Sequence, residues 1–413
     1  MLFKKTESFM FVPVLSFLVY ITAYLGRINL SITIPYLQNE LGYSKAVLGL
    51  LASGFFCTYA VGQLINGILG DRIQVRFFVT IGLLVAGISN IAFGIIRSFP
   101  LMFLAWSANG YFQSMLWGPL LRGISESVPH NKLRQAMLLM SISPIVGHFA
   151  AYILAGQLAI FWKWEIAFLI PGVLLIAAAL SWYWIMPRIA EKIKKDRTDT
   201  TAVNVKKFSI KQLAVFFISK KLHLMVLLGI FVGIIKEGLT LWSPVFFIES
   251  YSMEMDKMIY IMSFMPLVNL VFILLGGLLI KKCFPDENYT ILLFLIFTLL
   301  PVILIWKIEN MIFPLVVLCF YGLMASIYTV NTQMVSFFPI NFRDNGQVSS
   351  SAGIIDSSIY LGAVIAGPLI GMASEKYGWN GMFLGIMGIC LAAFVPVFFL
   401  LKKTSIEKNN ATA

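Results

Sequence analysis

Residues 9–37 read FMFVPVLSFLVYITAYLGRINLSITIPYL. This run carries one charge, Arg27, and is longer than the roughly 20 apolar residues that cross a ~30 Å hydrocarbon core as a helix. The basic flank before it, MLFKKTES, resembles the start of a secretory leader. The run is too long for a leader's apolar region, and no small-x-small cleavage site precedes Arg27, so we read it as a permanent first span. A charge inside such a span costs about 2.5–3.5 kcal/mol on insertion scales. Arg27 must therefore serve an interior or aqueous path, pair with a carboxylate, or snorkel to an interface.

Working outward, similar apolar runs recur along the chain. Spans are expected at 9–37, 44–69, 75–97, 100–126, 133–161, 164–187, 222–250, 257–281, 288–307, 311–338, 346–375 and 379–402. The chain is 59% hydrophobic and 12% charged, against roughly 25% charged in a soluble domain, which leaves too little polar surface to coat a globule. The net charge of +12 does not point to nucleic acid, because Lys and Arg sit in short loops between apolar runs. The four cysteines (Cys57, Cys283, Cys319, Cys390) form no CxxC pair and no Cys/His cluster, so neither a metal site nor a disulfide framework is expected. With no P-loop and no nucleophile elbow, the sequence indicates no enzyme, no catalytic residues and no cofactor.

The long polar segment 188–221 falls at mid-chain and reads as a connector between a half at 1–187 and a half at 222–413. A short interfacial helix over Ile210–Ile218 would rest Leu213, Val215, Phe216 and Phe217 on the headgroups, with Lys211, Lys220 and Lys221 meeting anionic lipid. With both termini on one side, that side receives 23 Lys and Arg against six on the other, and 13 against six without the connector. The excess places both termini in the cytoplasm, in a multi-pass protein of the inner membrane.

The halves repeat. Arg27 precedes Pro35 by eight residues, and Lys236, 209 residues after Arg27, precedes Pro244 by eight. The same offset carries Gly67 to Gly276 and Arg72 to Lys281; Trp164 precedes Phe168 by four, as Trp379 precedes Phe383. Parallel six-helix repeats about an axis along the membrane normal are the expected architecture.

Several residues carry candidate chemistry. Tyr20 and Tyr24 precede Arg27 by seven and three residues and share its helix face. A guanidinium with two phenols is a suitable anion receptor. Lys236 is its repeat partner, and two cations on symmetric helices would line a positive midplane site. Glu237 follows immediately, but adjacent helical residues point in different directions, so it need not neutralise Lys236. Asp356, with Tyr360 one turn on, is a second intramembrane acid; it reads either as half of a structural ion pair or, like Glu237, as a proton-coupling group. His148 reads either as a functional group or as a hydrogen-bonded helix contact. The turn Gly67-Ile-Leu-Gly70-Asp71-Arg72-Ile-Gln-Val-Arg76 reads as a gate, in which glycines allow close helix approach and Asp71 forms a latch, or as an ordinary charged turn. Its second-half counterpart, Gly276 to Lys282, lacks the Asp.

That turn resembles the major facilitator loop motif G-x-x-x-D-R-x-x-x-R. Tyr24-Leu-Gly-Arg27-Ile-Asn29-Leu-Ser-Ile-Thr-Ile-Pro35-Tyr36-Leu37 resembles the first helix of the organophosphate:phosphate antiporters, the branch of glycerol-3-phosphate and hexose-phosphate carriers. Trp117-Gly-Pro119-Leu-Leu-Arg122, Lys236-Glu-Gly-Leu-Thr-Leu-Trp242-Ser-Pro244, Tyr360-Leu-Gly362 and Tyr377-Gly-Trp379-Asn-Gly381 extend the resemblance over both halves. It implies an all-α polytopic major facilitator fold of 12 helices in two six-helix halves. Within it, Arg27 matches the first phosphate-binding Arg, and Tyr20, Tyr24, Tyr59, Tyr321 and Tyr360 resemble cavity tyrosines. The departures are Lys236 for the family's second Arg, Gln63 for a lysine of the second span, and Ile145 at the family's histidine position, with His148 one turn on.

The expected function is secondary transport of a small organic anion, by rocking of the halves around Arg27, Lys236 and the tyrosines; the resemblance suggests a phosphorylated metabolite exchanged for phosphate, while Lys236 for Arg and the acids Glu237 and Asp356 leave a generic organic anion equally open. The alternatives are a proton-coupled symporter or exporter using Asp356 or Glu237, and a transporter-like membrane sensor of a sugar phosphate. The partners are the anionic substrate and the lipid bilayer; no nucleic acid and a monomer are expected.

Overall fold

Apolar runs with no water to satisfy the backbone must bond internally, so they form helices. The computed structural model describes residues 10–70, 73–196, 222–282, 287–307, 312–338 and 348–412. In chain order the helices are α1 (Phe11–Leu41), α2 (Lys45–Gly70), α3 (Val75–Ile95), α4 (Phe99–Gln113), α5 (Trp117–Ser127), α6 (His130–Phe161), α7 (Ile166–Asp196), α8 (Leu222–Tyr251), α9 (Met255–Lys282), α10 (Glu287–Lys307), α11 (Phe313–Thr332) and α12 (Val348–Thr412). A π-helical turn, Gln333–Phe337, extends α11. The interfacial helix expected at Ile210–Ile218 lies outside the described residues.

Among the described residues, ten helices are long and apolar enough to cross a membrane. One of these stretches, Gly353–Leu401, runs for 49 residues. At ~1.5 Å per residue that is more than twice a hydrocarbon core. It breaks at Gly378, whose φ of 67° and ψ of 179° lie in a region open essentially to glycine alone. α12 is thus two spans. The span expected at 100–126 is in turn split into α4 and α5. Pro119 has no N–H to return to the carbonyl of Met115, and the intervening residues tighten instead, Met115 N–H bonding Phe112 O and Leu116 N–H bonding Gln113 O, both at 3.2 Å. Among the described residues, with α4–α5 counted as one crossing and α12 as two, the helices make twelve, consistent with the expected number.

The prolines inside α6 and α8 show how such breaks are tolerated. The carbonyl orphaned by Pro144 accepts the Ser143 hydroxyl (Met140 O, 2.6 Å), and that orphaned by Pro244 accepts Ser243 (Thr240 O, 3.4 Å). α7 continues through Asp196, so the first nine residues of the expected connector are helical.

The described chain divides into two units. The first comprises 10–43, 54–196 and 254–263; the second comprises 44–53, 222–253 and 264–412. In the first, α1 packs on α6 and α3 on α7. Its core includes Phe93, Trp106 and Phe168, with centroids 4.5–5.8 Å apart. In the second, α8 packs along α12 and α10 against α11, around Phe246, Phe247 and Phe320. Leu104, Trp184, Leu318 and Phe398 are each more than 60% exposed, as side chains that face lipid must be.

Candidate anion sites in the two units

The first unit is organised around a break in α1. Gly26 leaves helical geometry (φ −96°, ψ 18°), which frees its carbonyl. Three amides claim that oxygen: Asn109 Nδ2 at 2.8 Å, Asn90 Nδ2 at 3.1 Å and Gln113 Nε2 at 3.1 Å. A Cβ at Gly26 would sit 2.6 Å from Leu175 Cδ1 and 2.8 Å from Asn90 Nδ2, so a larger residue would displace both side chains. Asn29 donates to Asn90 Oδ1 and to Ala167 O, each at 3.0 Å, tying α1 to α3 and α7.

The same amide cluster positions Arg27. Gln113, held by Asn109 Oδ1 at 3.0 Å, turns its own Oε1 to accept Arg27 Nε–H at 3.0 Å. The guanidinium carbon lies 4.5 Å from the Tyr59 ring centroid, 4.8 Å from that of Tyr24 and 5.6 Å from that of Phe55. Arg27 is thus fixed by a neutral acceptor and sandwiched by aromatics, which hold a cation by its attraction to the ring faces. Tyr20 meets Tyr24 edge-on at 5.4 Å and Trp117 at 4.8 Å. His148 lies 4.5 Å from Tyr24, centroid to centroid, and its Nδ1 is 2.9 Å from Pro144 O, so Nδ1 carries the proton. Gln63 is half-buried on α2, one turn beyond Tyr59.

In the second unit the cation is Lys236, whose side chain is 9% exposed. Its Nζ lies 2.8 Å from Glu237 Oε1, 3.2 Å from Asn331 Oδ1 and 5.3 Å from the Tyr328 centroid. Thr240 Oγ1, which donates to Lys236 O at 2.7 Å, is 3.3 Å from Tyr328 OH. Glu237 pairs with Lys236, an outcome that helical direction left open; the four-carbon lysine stem is long enough to curl toward its neighbour. The tyrosine of α11 that meets Lys236 is Tyr328, while Tyr321 stands two turns earlier, half-buried. Asp356 and Tyr360 lie one turn apart on α12, both half-buried.

The expected gate is reached in part. Asp71 and Arg72 lie outside the described residues. Arg76 is tied to α7, its Nε donating to Tyr183 O at 3.0 Å with its guanidinium 3.9 Å over the Tyr183 ring. Among the described residues a Cβ at Gly67 would meet nothing within 4 Å, whereas one at Gly70 would come within 3.1 Å of Pro119, so the close approach seen is at Gly70. Arg122 caps the same helix end, donating to Gly70 O at 2.6 Å while its Nε bonds Glu126 at 2.6 Å.

A third arrangement was not anticipated. Trp164 Nε1 donates to Glu40 Oε2 at 2.8 Å, and Arg97, ion-paired with Glu165 at 2.6 Å, covers the Trp164 ring at 4.8 Å. In the second unit Trp379 Nε1 donates to Glu249 Oε2 at 2.9 Å, and Lys45, ion-paired with Glu249 at 2.6 Å, covers the Trp379 ring at 4.8 Å. The backbone N–H of Lys45 also bonds Glu375 Oε1 at 2.5 Å. Glu40 and Glu249 are 209 residues apart, the offset already seen for Arg27 and Lys236, and that offset was the available signal. Gln113, Asn109, Tyr328 and Asn331 carried a fainter one, as uncharged polar groups in apolar runs.

A model of the Major Facilitator Superfamily matches residues 16–355. A probable hexose phosphate transport protein of Chlamydia trachomatis is 23% identical over 403 residues, covering 92% of this chain and 88% of the relative. The glycerol-3-phosphate transporter of Bacillus subtilis is 23% identical over 423 residues, covering 95% and 92%. Among solved structures, a bacterial homologue of the human lysosomal transporter Spinster, inward-facing and unoccupied, matches with a TM-score of 0.77 at 15% identity, covering 95% of this chain and 97% of that one.

Proposed function

This chain belongs to the Major Facilitator Superfamily, and on that premise we propose that it is a secondary transporter of a small organic anion, a phosphorylated metabolite exchanged for phosphate. The observation that carries this reading is the pair of cations inside apolar helices at equivalent repeat positions, Arg27 half-buried and Lys236 buried, each against a tyrosine ring and a side-chain amide oxygen. The relatives named as a probable hexose phosphate transport protein and a glycerol-3-phosphate transporter support it, because phosphate esters are anions of charge opposite to that of Arg27 and Lys236.

In this reading Arg27 is the anion-binding cation of the first half and Lys236 that of the second. Arg27 Nε is spent on Gln113, so the guanidinium's orientation is set before substrate arrives, which lowers the cost of binding. Tyr20, Tyr24, Tyr59, Tyr321 and Tyr360 supply donors and apolar walls, Gln63 and His148 further polar contacts, and the halves at 1–187 and 222–413 alternate in access. Both termini are cytoplasmic in this reading, the protein is a monomer, and no enzymatic step is assigned.

The test is exchange of radiolabelled phosphate in proteoliposomes loaded with phosphate or with hexose and glycerol phosphates. Counterflow that requires internal phosphate or phosphate ester, and that Arg27→Ala abolishes, is the expected result. Uptake driven by an imposed proton gradient without counter-substrate, lost in Asp356→Asn, would replace exchange with symport. Binding without flux would replace transport with sensing.

A further inference from the structure

The cation of the second unit is already in use. Lys236 Nζ and Glu237 Oε1 are 2.8 Å apart, with side chains only 9% and 14% exposed, whereas Arg27 in the first unit donates to the neutral oxygen of Gln113. Any anion reaching Lys236 meets a carboxylate carried by the next residue in the chain. We infer that Glu237 is an intramolecular counter-anion that competes with the substrate for Lys236 and thereby sets which anions the protein accepts. This rests on the reading that Lys236 binds the transported anion.

The selection follows from the exchange itself. A monoanion that displaces Glu237 trades one carboxylate–ammonium contact for another of the same kind. It also leaves the displaced carboxylate uncompensated in a largely buried place, so it gains nothing. A ligand with two negative charges and several acceptor oxygens makes more than one charge-assisted hydrogen bond, including donors from Tyr328 OH and, after an amide turn, from Asn331. The excluded class is therefore monoanions such as sulfonates, and the accepted class is dianions such as inorganic phosphate and phosphate monoesters. A carboxylate present only to make lysine burial tolerable would produce no such discrimination.

The experiment measures binding of radiolabelled inorganic phosphate at pH 8 to the purified full chain, with methanesulfonate as the monoanionic competitor. In the wild type methanesulfonate competes poorly. Glu237→Gln should bind phosphate about tenfold more tightly and admit methanesulfonate as a competitor, while Glu237→Asp, which keeps the charge, should behave as the wild type. Phosphate should also raise the melting temperature of Glu237→Gln more than that of the wild type. If Glu237→Gln melts cooperatively only with phosphate present, the inference holds; if phosphate fails to restore it, or if affinity and selectivity match the wild type, the inference is overturned. The neutral double variant Lys236→Gln/Glu237→Gln separates the two readings. Undiminished phosphate binding there removes Lys236 from the anion site, and absence of phosphate binding in wild type and Glu237→Gln alike removes the phosphate reading as a whole.

Discussion

Glu249, at the end of α8, accepts the indole N–H of Trp379 at 2.9 Å. The first unit repeats the bond between Trp164 and Glu40 at 2.8 Å. The units differ in the cation over the ring and in its carboxylate, Glu165 for the first and Glu249 itself for the second. The first unit uses Arg97, two residues past the end of α3, while the second uses Lys45, from the first turn of α2. Lys45 is thus the pin that fastens the start of α2 to α8 and α12, by its ammonium to Glu249 and its backbone N–H to Glu375.

Lys45→Gln should loosen that attachment. A charge-assisted hydrogen bond is worth about 1.5–3 kcal/mol, so exposure of the nearby backbone should rise about tenfold or more. A cysteine at Ser53, whose hydroxyl bonds Val364 O at 2.5 Å, reports it through its labelling rate with an impermeant maleimide. An unchanged rate would mean that the ion pair carries no closing force.

Gly26→Ala should damage folding and binding together. The added Cβ collides with Leu175 and Asn90, and relief moves the carbonyl on which three amides converge. The expected loss is about 1–3 kcal/mol, read as a lower melting temperature in detergent. Asn109→Ala, which removes one of those donors without a clash, should lose stability by about 1–3 kcal/mol through its unpaired neighbours.

Arg27→Lys keeps the charge but has no Nε–H for Gln113 and no planar face for the Tyr24 and Tyr59 rings. Phosphate affinity should fall by about 10–100-fold, corresponding to the ~1.5–3 kcal/mol of a hydrogen bond to a charged group. Gln113→Leu should reproduce part of that loss with the arginine intact. Equal affinity in Arg27→Lys and the wild type would show that only the charge matters.

Gly378→Ala should strain the junction inside α12. No described residue lies within 4 Å of the new methyl, so the cost is conformational and about 1–3 kcal/mol. Lower yield of folded protein and a reduced melting temperature, with phosphate affinity unchanged, are expected.

The spans were legible because hydrophobic runs of membrane length admit one reading, and the cations because a charge in such a run is conspicuous. Neutral polar groups were not. Gln113, Asn109 and Asn90 are unremarkable in sequence and become informative only when Gly26 leaves the helix and offers them a carbonyl. The interruption at residues 114–116 had its cause in plain view at Pro119, but hydropathy alone ran through it. The Lys236–Glu237 pair stayed open in the sequence because side-chain reach, not backbone direction, decides whether adjacent residues meet.

Residues 44–53 belong to the second unit and 254–263 to the first, so each unit borrows one stretch of ten residues from across the chain's midpoint. Severing the chain between α7 and α8 would give two fragments, each lacking part of its own unit and carrying part of the other's. Neither fragment should mature alone, and co-expression should rescue both, a mutual complementation that duplication of an autonomous six-helix module would not require.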